Sequence, residues 1–142
     1  MQDVKEISEY FIKKTHDSGG YISPLKLQKI LYYAQGYHIA AFDEPLFDED
    51  IQAWQHGPVI PKIYHKYKNS SQVLESECSA FSLPDGLMKF LDNILEVYGR
   101  HSAWQLREMT HRESPWLSSY EKGVSNKVIP QSLLKDFFKK LL

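Results

Sequence analysis

The stretch SPLKLQKILYYAQGYHIAAF, Ser23 to Phe42, decides how this chain folds. Ser23 followed by Pro24 marks a helix start. The hydroxyl can accept a bond from an unpaired backbone N–H, and proline at the first helical position gives up a donor that had no partner there. Leu27, Ile30, Leu31, Ala34, Tyr37 and Ala41 then recur at helical spacing. A second apolar row, Leu25, Tyr32 and Ile39, leaves only a narrow polar face near Lys26, Lys29 and Gln35. A helix apolar on most sides belongs in the middle of a fold, so the pattern predicts a long central helix running toward Phe42. Gly36 inside it costs roughly 1 kcal/mol of helix propensity against alanine, and the expected compensation is close approach of another backbone.

Working outward, Val4, Ile7 and Phe11 sit among Lys5, Glu6, Glu9, Lys13 and Lys14, the pattern of an amphipathic surface helix that the glycines of DSGGY, Asp17 to Tyr21, bring to a stop. On the other side Pro45 breaks the central helix, and Ile51 to His56 alternates weakly between apolar and polar residues, which predicts a small β-hairpin. Pro58 and Pro61 are expected to open a third helix with Ile60, Ile63, Tyr64 and Tyr67 on one face. The serine-rich run Asn69 to Ser82 reads as a mobile loop.

Ser82 with Asp85 matches a capping box for a fourth helix carrying Leu87, Phe90, Leu91, Ile94, Leu95 and Tyr98 up to Gly99. Ser102 with Gln105 repeats that signal for a short helix with Trp104, Leu106 and Met109, and SPWLSSY suggests one further helical turn. A last helix uses Leu133, Leu134, Phe137, Phe138 and Leu141. The expected fold is mainly α: a compact single-domain bundle of five or six helices around the hydrophobic second one, with a small β-hairpin.

Composition narrows the classes of function. At 142 residues, 42% hydrophobic and 25% charged, the chain matches an ordinary globular domain and can hold its own core. Lys plus Arg number 17 against 18 Asp plus Glu, so no global field draws it to nucleic acid or an acidic membrane. No apolar run has the length of a membrane span and the amino terminus lacks a signal-peptide core, which makes the cytoplasm the expected location. The single cysteine, Cys78, excludes a disulfide within the chain.

Six histidines, His16, His38, His56, His65, His101 and His111, are the natural suspects for a metal or for acid–base work. No H-E-x-x-H or paired-Cys spacing accompanies them, so no metal site is expected. His111-Arg112-Glu113 satisfies half of the zinc-deaminase pattern, but its P-C-x-x-C half is missing. Neither a G-x-S-x-G elbow nor a glycine-rich phosphate loop occurs. His56 and His111 are therefore read as structural imidazoles rather than catalysts. Lys62, His65, Lys66 and Lys68 interleave with Tyr64 and Tyr67 as in single-strand binders, yet the same spacing describes a core face with a solvated back, which is the preferred reading.

Three blocks in order, SPLKLQKILYYAQGYHIA, AWQHGPVIPKIYHKYK and LREMTHRESPW, closely resemble the SocA-like antitoxin family, also called the Panacea domain. They span Ser23 to Trp116. The resemblance implies a mostly helical domain over 1–142 with a small β element, found in bacteria and their phages, that binds and neutralises a toxin encoded nearby. It implies no enzyme activity, no cofactor and no small-molecule substrate. Its signature falls on Leu27, Gln28, Lys29, Leu31, Tyr32 and Tyr33, then Ala53, Trp54, Gly57, Pro58, Val59 and Tyr64, then Leu106, Thr110, His111 and Trp116. These positions are expected to set a common scaffold more than to touch a partner. Gly57 would permit an unusual backbone angle, Pro58 would fix the start of the third helix, and Trp54, Tyr64 and Trp116 would suit a core edge or an interface centre. An adaptor or phage regulator of the same fold remains the alternative, with nucleic-acid binding behind it; homo-oligomerisation is left open.

Overall fold

The computed structural model describes residues 1–70, 74–75 and 82–142. Most of the expected Asn69–Ser82 loop, and Cys78 with it, lies outside the described residues. Among those described there are seven helices and one two-stranded sheet: α1 (Val4–Asp17), α2 (Pro24–Phe42), β1 (Gln52–Trp54), β2 (Gly57–Val59), α3 (Pro61–Tyr67), α4 (Asp85–Tyr98), α5 (Ala103–Thr110), α6 (Ser114–Leu117) and α7 (Gln131–Lys139). The mainly α expectation holds, with α6 a single turn.

α2 forms where its pattern placed it. The Ser23 hydroxyl accepts from Lys26 N at 3.2 Å, Pro24 occupies the first turn, and Asp43 at φ 60° ends the helix. Leu27, Ile30, Leu31, Tyr32, Tyr33 and Ala34 are fully buried, and α1, α3, α4, α5, α7 and β2 all pack against this helix.

Its polar face is the first departure. Gln28, Lys29 and Gln35 are all buried, because each is matched to backbone that has no ladder partner. Gln35 donates to Phe47 O at 2.9 Å and accepts from Leu46 N at 2.7 Å. Two turns earlier, Gln28 donates to Ile60 O at 3.2 Å and accepts from Ile60 N at 2.8 Å. Each amide thus completes the donor–acceptor pair of an irregular segment on one side of the hairpin, which is what makes burial of that backbone tolerable. Gly36 departs too: the group it admits is the ring of Phe138 on α7, not another backbone.

The hairpin is antiparallel, with Ala53 opposite Pro58 and Trp54 opposite Gly57. Pro58 therefore lies in a strand and does not open α3; only Pro61 does. A short ladder at a sheet margin tolerates a residue without an N–H; Gln28 holds the Ile60 N–H, and Ile60 O accepts the first bonds of α3 from Ile63 and Tyr64. Outside β1 the chain returns: Ala53 N donates to Lys127 O and Ile129 N to Ile51 O, both at 2.8 Å.

Four smaller expectations change. Tyr64 leaves the α3 core face and stands 43% exposed, while Ile60, Ile63 and Tyr67 stay buried. α4 starts at Asp85 with Pro84 as its cap and no side-chain cap bond, so Ser82–Asp85 forms no capping box. Trp104 turns outward, 59% exposed, with the Arg107 guanidinium 4.4 Å from its ring. On α7 only Leu134 and Phe138 are buried, and Leu141 is exposed.

Candidate functional site

The hairpin turn is the point where the three sequence blocks meet. Gly57 adopts φ +114°, a conformation L side chains rarely take, and a Cβ there would lie 2.7 Å from Lys29 Cε and 2.9 Å from Thr110 Oγ1. Lys29 runs beneath this turn, fully buried, and donates from Nζ to Pro58 O at 3.2 Å. Burial, and then the neighbouring Arg107 charge, pull its ammonium down to about 7. Thr110 closes the same pocket and donates its hydroxyl to Arg107 O at 2.9 Å.

From the other side the segment after α5 grips the turn. Trp116 Nε1 donates to Trp54 O at 2.7 Å. His111 stacks on the Trp116 ring, centroids 4.1 Å apart, and Tyr120 stacks on the same ring at 4.5 Å. His111 also hydrogen-bonds the backbone of Gln55. Burial and the Arg107 and Lys29 charges hold its imidazole below the usual range, and its Nε2 is enclosed without a partner.

Glu113, two residues on, reaches back to α2. Its two carboxylate oxygens accept from Tyr32 and Tyr33 hydroxyls, each at 2.9 Å. Burial pushes this carboxyl up to about 7 although both hydroxyls work to lower it. Tyr32 and Tyr33 are in turn displaced upward, first by burial and then by Glu113.

The expected signature residues thus separate into three sets. Gln28, Lys29, Trp54, Gly57, Pro58, Thr110, His111 and Trp116 come together around the hairpin, and Tyr32 and Tyr33 meet at Glu113. Leu27, Leu31, Ala53, Val59 and Leu106 are apolar core beside them. Tyr64 stands outside this lattice, its ring edge-on to Trp54 at 4.9 Å. Sequence reading missed Glu113 and Gln35 as organising groups and Arg107 as a neighbour of both imidazoles. A carboxylate between Thr-His and Ser-Pro-Trp is unusual enough to notice, but its partners lie some eighty positions upstream.

Lys29, Tyr32, Tyr33 and Glu113, whose acidities are displaced, face inward. His56, exposed at the hairpin turn, accepts at Nδ1 from Arg107 Nε at 3.1 Å. Among the described residues no three His, Cys, Asp or Glu side chains gather as metal ligands, and no helix is long and apolar enough to cross a membrane. What the outer surface does carry is a groove of about 450 Å³ between the start of α2, the hairpin and α3, lined chiefly by Leu25, Trp54, Val59, Ile63, Tyr64 and Tyr67.

Residues 27–117 match the family described as Antitoxin SocA-like, Panacea domain. Antitoxin SocA of Caulobacter vibrioides is 27% identical over 128 residues, an alignment covering 80% of this chain and 68% of that protein. No solved structure matches. The matched span takes in the hairpin, Gln28, Lys29, Thr110, His111, Trp116 and Glu113, and the chain belongs to the SocA-like antitoxin family.

Proposed function

We propose that this member of the SocA-like antitoxin family neutralises a toxin encoded beside it by direct protein–protein binding, in the cytoplasm and without catalysis of its own. The observation that carries this reading is the family match over residues 27–117, which coincides with the three blocks that fold into one buried lattice. The placement of chemistry supports it. Lys29, whose ammonium burial pulls down to about 7, is fully buried; the His111 Nε2 atom is enclosed; and Glu113 is taken up by two tyrosines. A binding scaffold gains rigidity from such groups, whereas an enzyme would turn them toward a substrate.

The simplest mechanism is steric. An interface of about 1,200–2,000 Å² would mask the toxin's working surface, anchored by a few aromatic or Arg residues. The test is co-expression with each adjacent gene. The expected result is that one neighbour arrests growth alone, that this chain restores growth, and that the two copurify. A neighbour that is harmless alone, or toxicity that persists without a copurifying complex, would overturn the reading.

A further inference from the structure

We infer that the groove beside the hairpin, together with the aromatic and basic rim that continues from it, is the surface that grips the toxin, and that it takes an apolar segment of the toxin flanked by carboxylates. This inference rests on the antitoxin reading and names the surface that reading leaves open.

The apolar part of the argument is the groove itself. Val59, Ile63 and Tyr67 form its floor, and Trp54 and Tyr64 stand at its side as an edge-to-face pair. Tyr64 is 43% exposed although it sits on a helix that buries its neighbours Ile63 and Tyr67. Trp, Tyr and Arg are the residue types that most often dominate binding energy when a partner excludes water from them. The rim supplies the Arg. Arg107 bonds His56 at the groove wall and lies 4.4 Å from the exposed Trp104 ring, so the groove runs on into a second aromatic surface.

The charge part decides the partner's chemistry. From Pro61 to Ser70 the chain carries Lys62, Lys66 and Lys68 and no carboxylate. Lys62 is already held by Glu49 at 3.2 Å, but Lys68 lines the groove, and among the described residues no Asp or Glu does. A carboxylate on the incoming segment is the complement. Nucleic acid fits less well. Arg107 already shares its charge with Glu108 at 3.0 Å, the groove walls are mainly side-chain hydrocarbon and ring, and the whole chain has a net charge of −1. The walls are also fixed in advance. Gln28 holds Ile60, Lys29 holds Pro58 and Trp116 holds Trp54, so little ordering remains to be done on binding.

The experiment uses the full chain and the purified toxin of the neighbouring gene. Tyr64→Ala and Lys68→Glu, singly and combined, are compared with Phe42→Ser, a control at the far end of α2, roughly 27 Å along the helix from Pro24. Circular dichroism and thermal melts establish that each variant folds. The expected result is at least tenfold weaker toxin binding and lost growth rescue for the double variant, with Phe42→Ser like the parent. Lys68→Glu should regain affinity against a toxin in which one groove-facing acid is changed to Lys. Folded Tyr64 and Lys68 variants that bind and rescue like the parent would overturn the inference while the antitoxin reading stood. So would salt-dependent retention of an RNA or DNA oligomer at this face, or a dimer of this chain broken by the same changes. Failure of the unaltered chain to bind or rescue would overturn both.

Discussion

Lys29 and Glu113 place two ionisable groups inside the molecule, and both are displaced toward neutrality. Burial, reinforced by Arg107, brings the ammonium down to about 7; burial, opposed by Tyr32 and Tyr33, brings the carboxyl up to about 7. A carboxyl raised in the folded state binds protons there that the unfolded chain has lost, so stability falls as pH climbs from about 4.5 to 7. An ammonium lowered in the folded state does the reverse: stability rises as pH climbs from about 7 to 10.5. Urea denaturation across pH should therefore trace a minimum near neutrality from these two groups. Glu113→Gln is expected to remove the acidic-side slope, worth roughly 3 kcal/mol, and Lys29→Met the alkaline-side slope; unchanged profiles would contradict this placement. Gly57→Ala should lower stability by about 2–4 kcal/mol, since φ +114° and the nearby Lys29 Cε both oppose a Cβ. Sequence alone indicated the need for glycine at 57. It placed Lys29 on a polar face, because the Pro58 carbonyl that receives it is 29 positions away.

At the scale of elements, signals that act within one turn were readable and those that act across the fold were not. α5 is capped reciprocally, Gln105 N donating to Ser102 Oγ at 3.1 Å and Ser102 N to Gln105 Oε1 at 2.8 Å. Ser102→Ala should cost about 1 kcal/mol in chemical denaturation. The same motif three residues before α4 carries no such bond, because Pro84 caps that helix; Ser82→Ala should stay within about 0.5 kcal/mol of the parent. A Ser82→Ala loss as large as that of Ser102→Ala would show that the resemblance between the two starts is physical after all. Pro58 illustrates the other kind of signal. Read locally it starts a helix, and its strand becomes visible only once Ala53 pairs with it and Gln28 takes the Ile60 N–H. Tyr64 likewise kept helical spacing with core residues, and Trp104 shared a short helix with them, yet both stand out to solvent where Trp54 and Arg107 receive their rings.

At the scale of the molecule, the span matched by the family ends at residue 117, but the central helix is completed from beyond it. α7 lays Phe138 into the gap at Gly36, with the ring 5.5 Å from Tyr32, 6.0 Å from Tyr33 and 4.8 Å from Tyr37. The sequence made α2 central and made Gly36 a point of close approach, but nothing local connects position 36 to a phenylalanine 102 positions later. Helix propensity alone predicts that Gly36→Ala stabilises by up to about 1 kcal/mol. The packing predicts the opposite, a loss of about 2–3 kcal/mol, because the new methyl group would enter the Phe138 ring. Phe138→Leu should by itself cost roughly 1–3 kcal/mol, and in combination the two losses should add to less than their sum by about 0.5–3 kcal/mol, since the smaller side chain makes room for the methyl. Urea denaturation of the four proteins measures that coupling directly. Strict additivity, or a stabilised Gly36→Ala, would mean that α7 does not seat its ring in the central helix.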